Sequence, residues 1–130
     1  MAAQIQKNTP SVAGFCRRPE IITNYISFQE YEYSMEYISL LRPKRPDFLT
    51  TMTPTEQATM GQHMDYVKNL FHNGKIILGG AAADGAVGIL IYRVDSAEEA
   101  RHLFDNDPAV MAGIGYPELH PFNIGLRSAA

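Results

Sequence analysis

The chain has 130 residues, 45% of them hydrophobic, and its 11 basic and 14 acidic residues give a formal net charge of −3. This length suits one domain, and charges of both signs are scattered along the chain, which argues against nucleic acid or a membrane surface as a partner. Cys16 is the only cysteine, so an internal disulfide and a cysteine metal cluster are excluded, and no apolar run approaches the roughly 20 residues that cross a bilayer. We therefore expect one cytoplasmic domain without a membrane segment.

Residues 1–34 differ in composition from the rest of the chain. Gln, Asn and Thr come early, with Pro10, Gly14 and Pro19, and residues 25–33 then mix aromatic side chains with Glu. This stretch is compatible with a disordered arm, with an added strand or helix that covers a partner subunit, or with sequence upstream of a start at Met35. We assign residues 1–34 to an N-terminal extension and residues 35–130 to the domain.

The first strand is predicted over residues 37–41, where a short apolar run precedes a loop rich in proline and charge. The loop carries three positive charges, on Arg42, Lys44 and Arg45. These charges are either simply solvated or form a rim that attracts an anionic substrate. The second interpretation makes Arg42 a candidate substrate-binding residue.

A long helix is predicted to follow this loop, because both of its ends carry recognisable signals. Thr53 and Glu56 form a capping box around Pro54, which suits the first helical position. Gly74 supplies the left-handed residue that commonly ends a helix. The pattern therefore predicts a helix between Thr53 and Gly74.

His63 is the one polar residue on the buried side of that helix. At about 100° per residue, an apolar stripe forms from Met60, Met64, Val67 and Phe71, and His63 lies on its shoulder with Leu70. The imidazole is therefore aimed at the core or at a cleft. A lone histidine in such a place is usually an edge or core residue with backbone partners, so a functional role requires a partner from elsewhere in the chain.

A β-hairpin is predicted after the helix. Residues 75–78 form a strand that ends at Gly79 and Gly80, Asp84-Gly85 marks the tip, and residues 87–94 return as an alternating strand. The glycine pair lacks the context of a phosphate-binding loop. We interpret Gly79 and Gly80 as positions where a backbone or a ligand approaches the sheet closely, and hence as candidate substrate-binding residues.

The remaining elements complete the pattern. Ser96 and Glu99 form a second capping box before a short amphipathic helix. Asp107 is then a helix N-cap followed by Pro108 at the first helical position. Residues 116–124 contain two prolines and so predict an edge strand.

The resulting βαββαβ order is the ferredoxin-like split βαβ pattern, an α+β fold. Both helices cover one face of a four-stranded antiparallel sheet, which leaves the other face bare. Because a domain of this size cannot leave an apolar sheet face in water, we predict a homodimer in which two copies pair face to face.

Several segments also resemble the YciI-like, or YCII-related, family over about residues 35–125. The similar segments are Tyr37–Arg42, Gln62–Met64, Gly74–Gly80, Ser96–Phe104, Asp107–Gly113 and Pro121-Phe122. The resemblance implies a dimeric α+β barrel and a His-Asp active site that maps onto His63 and Asp107. Lyase chemistry on a halogenated, hydroxylated aromatic compound has been attributed to the group. The extension before Met35 departs from the family's usual start, which bears on how open the site is.

The implied pair has a coherent physical role. A neutral imidazole can take a proton near pH 7, and a carboxylate at a helix N-terminus can orient the ring. His63 would be the general base or acid and Asp107 would fix its tautomer, although Asp107 could also serve only as a helix cap. We predict no metal site, because the other three histidines, His72, His102 and His120, are not at ligand spacing with His63.

Two classes of function follow. The first is a cofactor-independent lyase or isomerase that transfers a proton on a small organic molecule, aromatic or carbonyl-bearing, held between the long helix and the sheet. The second is a non-catalytic dimeric module that binds a small molecule or a partner protein. They differ in whether His63 titrates beside an accessible cavity.

Overall fold

A computed structural model describes residues 34–129. The predicted N-terminal extension lies outside the described residues except for Ser34, and its assignment stays a prediction.

Within residues 34–129 the chain forms four strands and four helices. In chain order they are β1 Met35–Pro43, α1 Phe48–Thr51, α2 Pro54–His72, β2 Ile76–Ala81, β3 Gly88–Val94, α3 Ala97–Asp105, α4 Pro108–Met111 and β4 Gly115–Phe122. The strands make one sheet in the order β2-β3-β1-β4, and every neighbouring pair is antiparallel. This is the predicted ferredoxin-like α+β fold, with β4 at an edge as its prolines indicated.

The ends of α2 form as the sequence predicts. The Thr53 side chain accepts from the backbone N–H of Glu56, and the Glu56 carboxylate accepts from the N–H of Thr53. At the other end Gly74 has φ of 78°, and Lys75 donates its N–H to the carbonyl of Leu70, a hydrogen bond typical of glycine-terminated helices. Both ends of the helix that carries His63 are therefore fixed by local hydrogen bonds.

The core lies between the helices and one face of the sheet. Leu70 of α2 and Ala100 of α3 pack on side chains of β2 and β3, namely Ile76, Leu90, Tyr92 and Val94. Strand alternation turns the intervening residues to the other face, which includes Ile38, Leu40 and the 52% exposed Leu78. The helices thus cover one face, as predicted.

Three of the differences from the sequence predictions matter for the site. The single turn α1 was missed, and its Phe48 is buried against Ala109 and Ile114. Strand β2 does not end at Gly79 and Gly80 but continues through them to Ala81, after a register shift between Ile76 and Leu78.

The third difference concerns the apolar stripe of α2. Only Leu70 is buried among the residues of this helix, whereas Met64 and Phe71 are about half exposed. Met60 and Val67 pack against the core clusters, whereas Met64 and Phe71 line a cavity and keep contact with solvent. None of the helices in the described range combines the length and apolar character needed to cross a membrane.

Candidate active site

A cavity of about 510 Å³ lies between α2 and the helix-covered side of the sheet. Its lining is mainly aliphatic and aromatic, with backbone contributed by glycines of β2 and β3. From α2 it receives the predicted stripe together with His63 and Lys68. A largely apolar cavity of this size with a few polar side chains is the usual form of a small-molecule site.

His63 and Asp107 meet at the inner side of this cavity. Nδ1 of His63 lies 2.7 Å from Oδ1 of Asp107, and the side chains are 15% and 4% exposed. The same carboxylate oxygen accepts the backbone N–H of Ala109 at 2.9 Å. Asp107 is therefore both the cap of α4 and the hydrogen-bond partner of His63.

The local structure explains how Asp107 reaches His63 across 44 positions of sequence. Helix α3 ends at Asp105, and Asp107 has the extended backbone, φ −68° and ψ 124°, of an N-cap residue. Its own N–H donates to the carbonyl of Phe104. With Pro108 starting α4, the carboxylate is fixed at the junction of two helices and aimed toward α2.

This geometry determines which nitrogen of His63 is free. An ionised carboxylate has no hydrogen to donate, so toward ionised Asp107 the Nδ1 of His63 must be the donor and carries the hydrogen. In neutral His63 the lone pair then lies on Nε2, the nitrogen directed away from Asp107. The arrangement can therefore take a proton at Nε2 and hold the resulting imidazolium beside a carboxylate.

Two tyrosines near the pair stay protonated. Burial first, and the negative charge of Asp107 second, raise the pKa of both Tyr66 and Tyr92. The Tyr66 hydroxyl donates to the carbonyl of Leu103 at 2.8 Å. These phenols are thus neutral neighbours of the His63–Asp107 pair.

The predicted residues Gly79 and Gly80 both line the cavity. A Cβ placed on Gly79 would lie 2.8 Å from Cδ2 of Leu90, whereas one on Gly80 would meet nothing within 4 Å. Gly79 thus permits close packing against the core, and Gly80 leaves open space at the sheet edge.

Arg42 is placed elsewhere and does not line the cavity. It lies on the outer face of the sheet, where its guanidinium contacts the Glu118 carboxylate at 2.6 Å. Side chains alternate between the two faces of the sheet along β1. Because Ser39 and Leu41 face inward, Arg42 faces outward. The structure therefore brings together four of the five predicted site residues.

Two polar residues of the cavity were not identified from the sequence. Ser39 is buried and lies on the inward face of β1, and its hydroxyl neighbours that of Tyr92. Lys68 lies at the edge of the α2 stripe. The sequence contained a signal for each of them. Ser39 places a hydroxyl on the core side of an apolar strand, and Lys68 places a charge next to an apolar stripe.

The described residues contain no cluster of histidine, cysteine and carboxylate side chains able to hold a metal ion. The exposed ring of His102 is near Asn106, and that of His120 contacts Glu118. His63 is thus the histidine that lies beside the cavity.

Fold and site together define a ferredoxin-like α+β protein with a His–Asp pair at an apolar cavity. The family model for the YCII-related domain matches residues 35–120, so the chain belongs to the YCII-related family, as its segments predicted.

Among solved structures, the chain is similar to the 5-chloro-2-hydroxyhydroquinone dehydrochlorinase of Burkholderia phenoliruptrix AC1100, in complex with 2,5-dihydroxybenzoquinone. Identity is 22% and the TM-score is 0.52, over 68% of this chain and 95% of that one. This likeness is one of fold. No curated protein sequence matches the chain.

Proposed function

We propose that the protein is an enzyme of the lyase or isomerase type, in which His63 transfers a proton on a small organic molecule. The observation that carries this proposal is the 2.7 Å contact between His63 and Asp107 at the wall of the 510 Å³ cavity. On this proposal His63 is the base, Asp107 orients it and the cavity holds the substrate, which is the arrangement that acid–base catalysis requires.

In the proposed reaction, Nε2 of His63 takes a proton from a carbon or hydroxyl of the substrate. The electron pair left behind forms a new double bond, and either a leaving group departs with its bonding pair or the proton returns at another atom. The first outcome is an elimination and the second an isomerisation. In the elimination the imidazolium then releases its proton to water. Asp107 stabilises the imidazolium until it gives up its proton, and no cofactor is required for either outcome.

The substrate class proposed is a small hydroxylated aromatic or quinone-like ring. The apolar walls suit a flat ring, and the dehydrochlorinase of the same fold is described with a six-membered quinone ligand. Gly79 and Gly80 would let the ring approach the backbone of β2. Ser39 would supply a hydrogen bond to a ring substituent.

The working form proposed is a cytoplasmic homodimer. Ile38, Leu40 and Leu78 share the sheet face opposite the helices, and pairing of two such faces would remove them from water. Light scattering of the full chain should give twice the mass of one chain at micromolar concentration. A single-chain mass would contradict this part of the proposal.

The enzymatic proposal is tested with a matched pair of histidine variants. His63→Gln should reduce chloride release from 5-chloro-2-hydroxyhydroquinone by about 10²- to 10⁴-fold, the usual contribution of a general acid or base. His72→Gln removes an exposed histidine from the same helix and should leave the rate unchanged. Circular dichroism of both variants checks that the fold persists.

Equal rates in the two variants would contradict a catalytic His63. If the wild-type chain binds 2,5-dihydroxybenzoquinone without turning over any compound of this class, the non-catalytic binding module becomes the better description. Binding to the wild type is therefore measured by calorimetry beside the rate.

A further inference from the structure

Lys68 is the one lysine or arginine among the lining residues of the cavity within the described chain. None of the ion pairs found among residues 34–129 includes it. The lysines and arginines of this range that do pair with carboxylates are Arg42, Arg45, Lys75 and Arg101. Lys68 is therefore a cation at the cavity that has no ion-pair partner within 4.0 Å among residues 34–129.

Helix geometry places Lys68 and His63 on opposite sides of the apolar stripe of α2. At about 100° and 1.5 Å per residue, the two positions are about 140° apart around α2 and about 7.5 Å apart along its axis. The apolar stripe, Met60, Met64, Val67 and Phe71, lies between them. A ring that covers this stripe therefore has one edge near the imidazole and the other near the ammonium group.

The charges at these two sides are opposite. The buried carboxylate of Asp107 lies behind His63, whereas Lys68 is exposed at the other side. A negative group on a ligand is repelled by the carboxylate and attracted by the ammonium. The cavity thus orients an anionic ligand with its charge at Lys68 and its other edge at His63.

We infer that Lys68 binds an ionised oxygen substituent, a carboxylate or phenolate, of an aromatic ligand whose opposite edge faces His63. This inference rests on the proposed function for the role of His63, and it adds the charge of the substrate and its direction in the site. Lys68 is on this account a specificity-determining residue, which takes over the role that the sequence suggested for Arg42.

The test uses the full chain and two probes of the same size and shape, benzoate and its neutral counterpart benzamide. Calorimetric titration should show benzoate binding about 3- to 5-fold more tightly, as expected for an exposed ion pair. The preference should shrink as salt is raised, because exposed charges are screened.

Three substitutions locate the effect. Lys68→Met keeps the apolar stem but removes the charge, and should give equal affinities for the two probes. Lys68→Arg keeps the positive charge and should therefore retain the preference for benzoate. Lys44→Met removes a lysine that lies over the ring of Tyr116, outside the cavity, and should leave the preference intact.

A benzoate preference that survives Lys68→Met, or that is absent from the wild type, would overturn the inference, as would failure of both probes to bind. The result separates this inference from the proposed function, because His63→Gln should lower the turnover rate yet keep the benzoate preference. Loss of the preference in His63→Gln alone, with Lys68→Met unaffected, would assign the anion to His63 instead.

Discussion

Two regions between α2 and the sheet differ in how tightly they are packed. In the core cluster, Leu70 is 8% exposed and packs against Leu90 and Tyr92. In the cavity, Met64 projects from the same helix yet is 46% exposed. Both positions satisfy the same apolar periodicity. Periodicity thus predicts which side of a helix faces inward, whereas the size of the facing side chains decides whether that space is filled or remains available to a ligand.

The largest expected effect is on stability, and it contrasts these two residues directly. Leu70→Ala should lower the free energy of unfolding by about 2–5 kcal/mol, because it removes buried methyl groups and leaves a void. Met64→Ala should cost less than about 1 kcal/mol, since its side chain is already half in contact with solvent. Denaturant unfolding of the two variants measures both values, and equal losses would mean that the cavity is packed as tightly as the core.

Two glycines with different surroundings give a second contrast. Gly115 of β4 has no room for a Cβ, which would collide with the carbonyl oxygen of Arg42. Gly115→Ala should therefore cost about 1–3 kcal/mol. Gly61 is exposed in the middle of α2 with nothing near its Cβ position, so Gly61→Ala should stabilise by about 0.5–1 kcal/mol. Thermal unfolding that gives both changes the same sign would contradict this contrast.

Features that depend on residues close together in the sequence were predicted correctly, whereas contacts between distant residues were harder to predict. The capping box at Thr53 and the stop at Gly74 depend on neighbouring residues, and both form as predicted. The four-residue α1 is too short to show a period, so it was missed. His63 stood out from its own helix, but its contact with Asp107 spans 44 positions and was indicated only by the resemblance to a family. Lys68 could not be assigned to the cavity before the cavity itself was known.

The smallest expected effect concerns how the stability of the fold depends on pH through Glu56, at the N-terminus of α2. Hydrogen bonds from Arg45, then from the backbone of Thr53, lower the pKa of Glu56 to about 2. Because the folded pKa lies below the ordinary value of 4.5, this carboxylate contributes stability that is fully present above about pH 4.5 and is lost as the pH falls toward about 2. Glu56→Gln should lower the Tm at pH 7 but not at pH 2.

Arg45→Gln serves as the control for that prediction, since it removes the first of these partners and should reduce the same acid dependence. If the Tm difference between wild type and Glu56→Gln were constant from pH 7 to pH 2, the ion pair would not be the source of the acid sensitivity.

The central claim is that Asp107 holds His63 in the tautomer that presents a free Nε2. The most direct measurement is ¹⁵N NMR of the His63 ring in the full-length protein, at a pH where the ring is neutral. We predict a protonated Nδ1 and an unprotonated Nε2 in the wild type, and a loss of this preference in Asp107→Ala. A wild-type ring protonated at Nε2, or a tautomer indifferent to Asp107→Ala, would contradict the account.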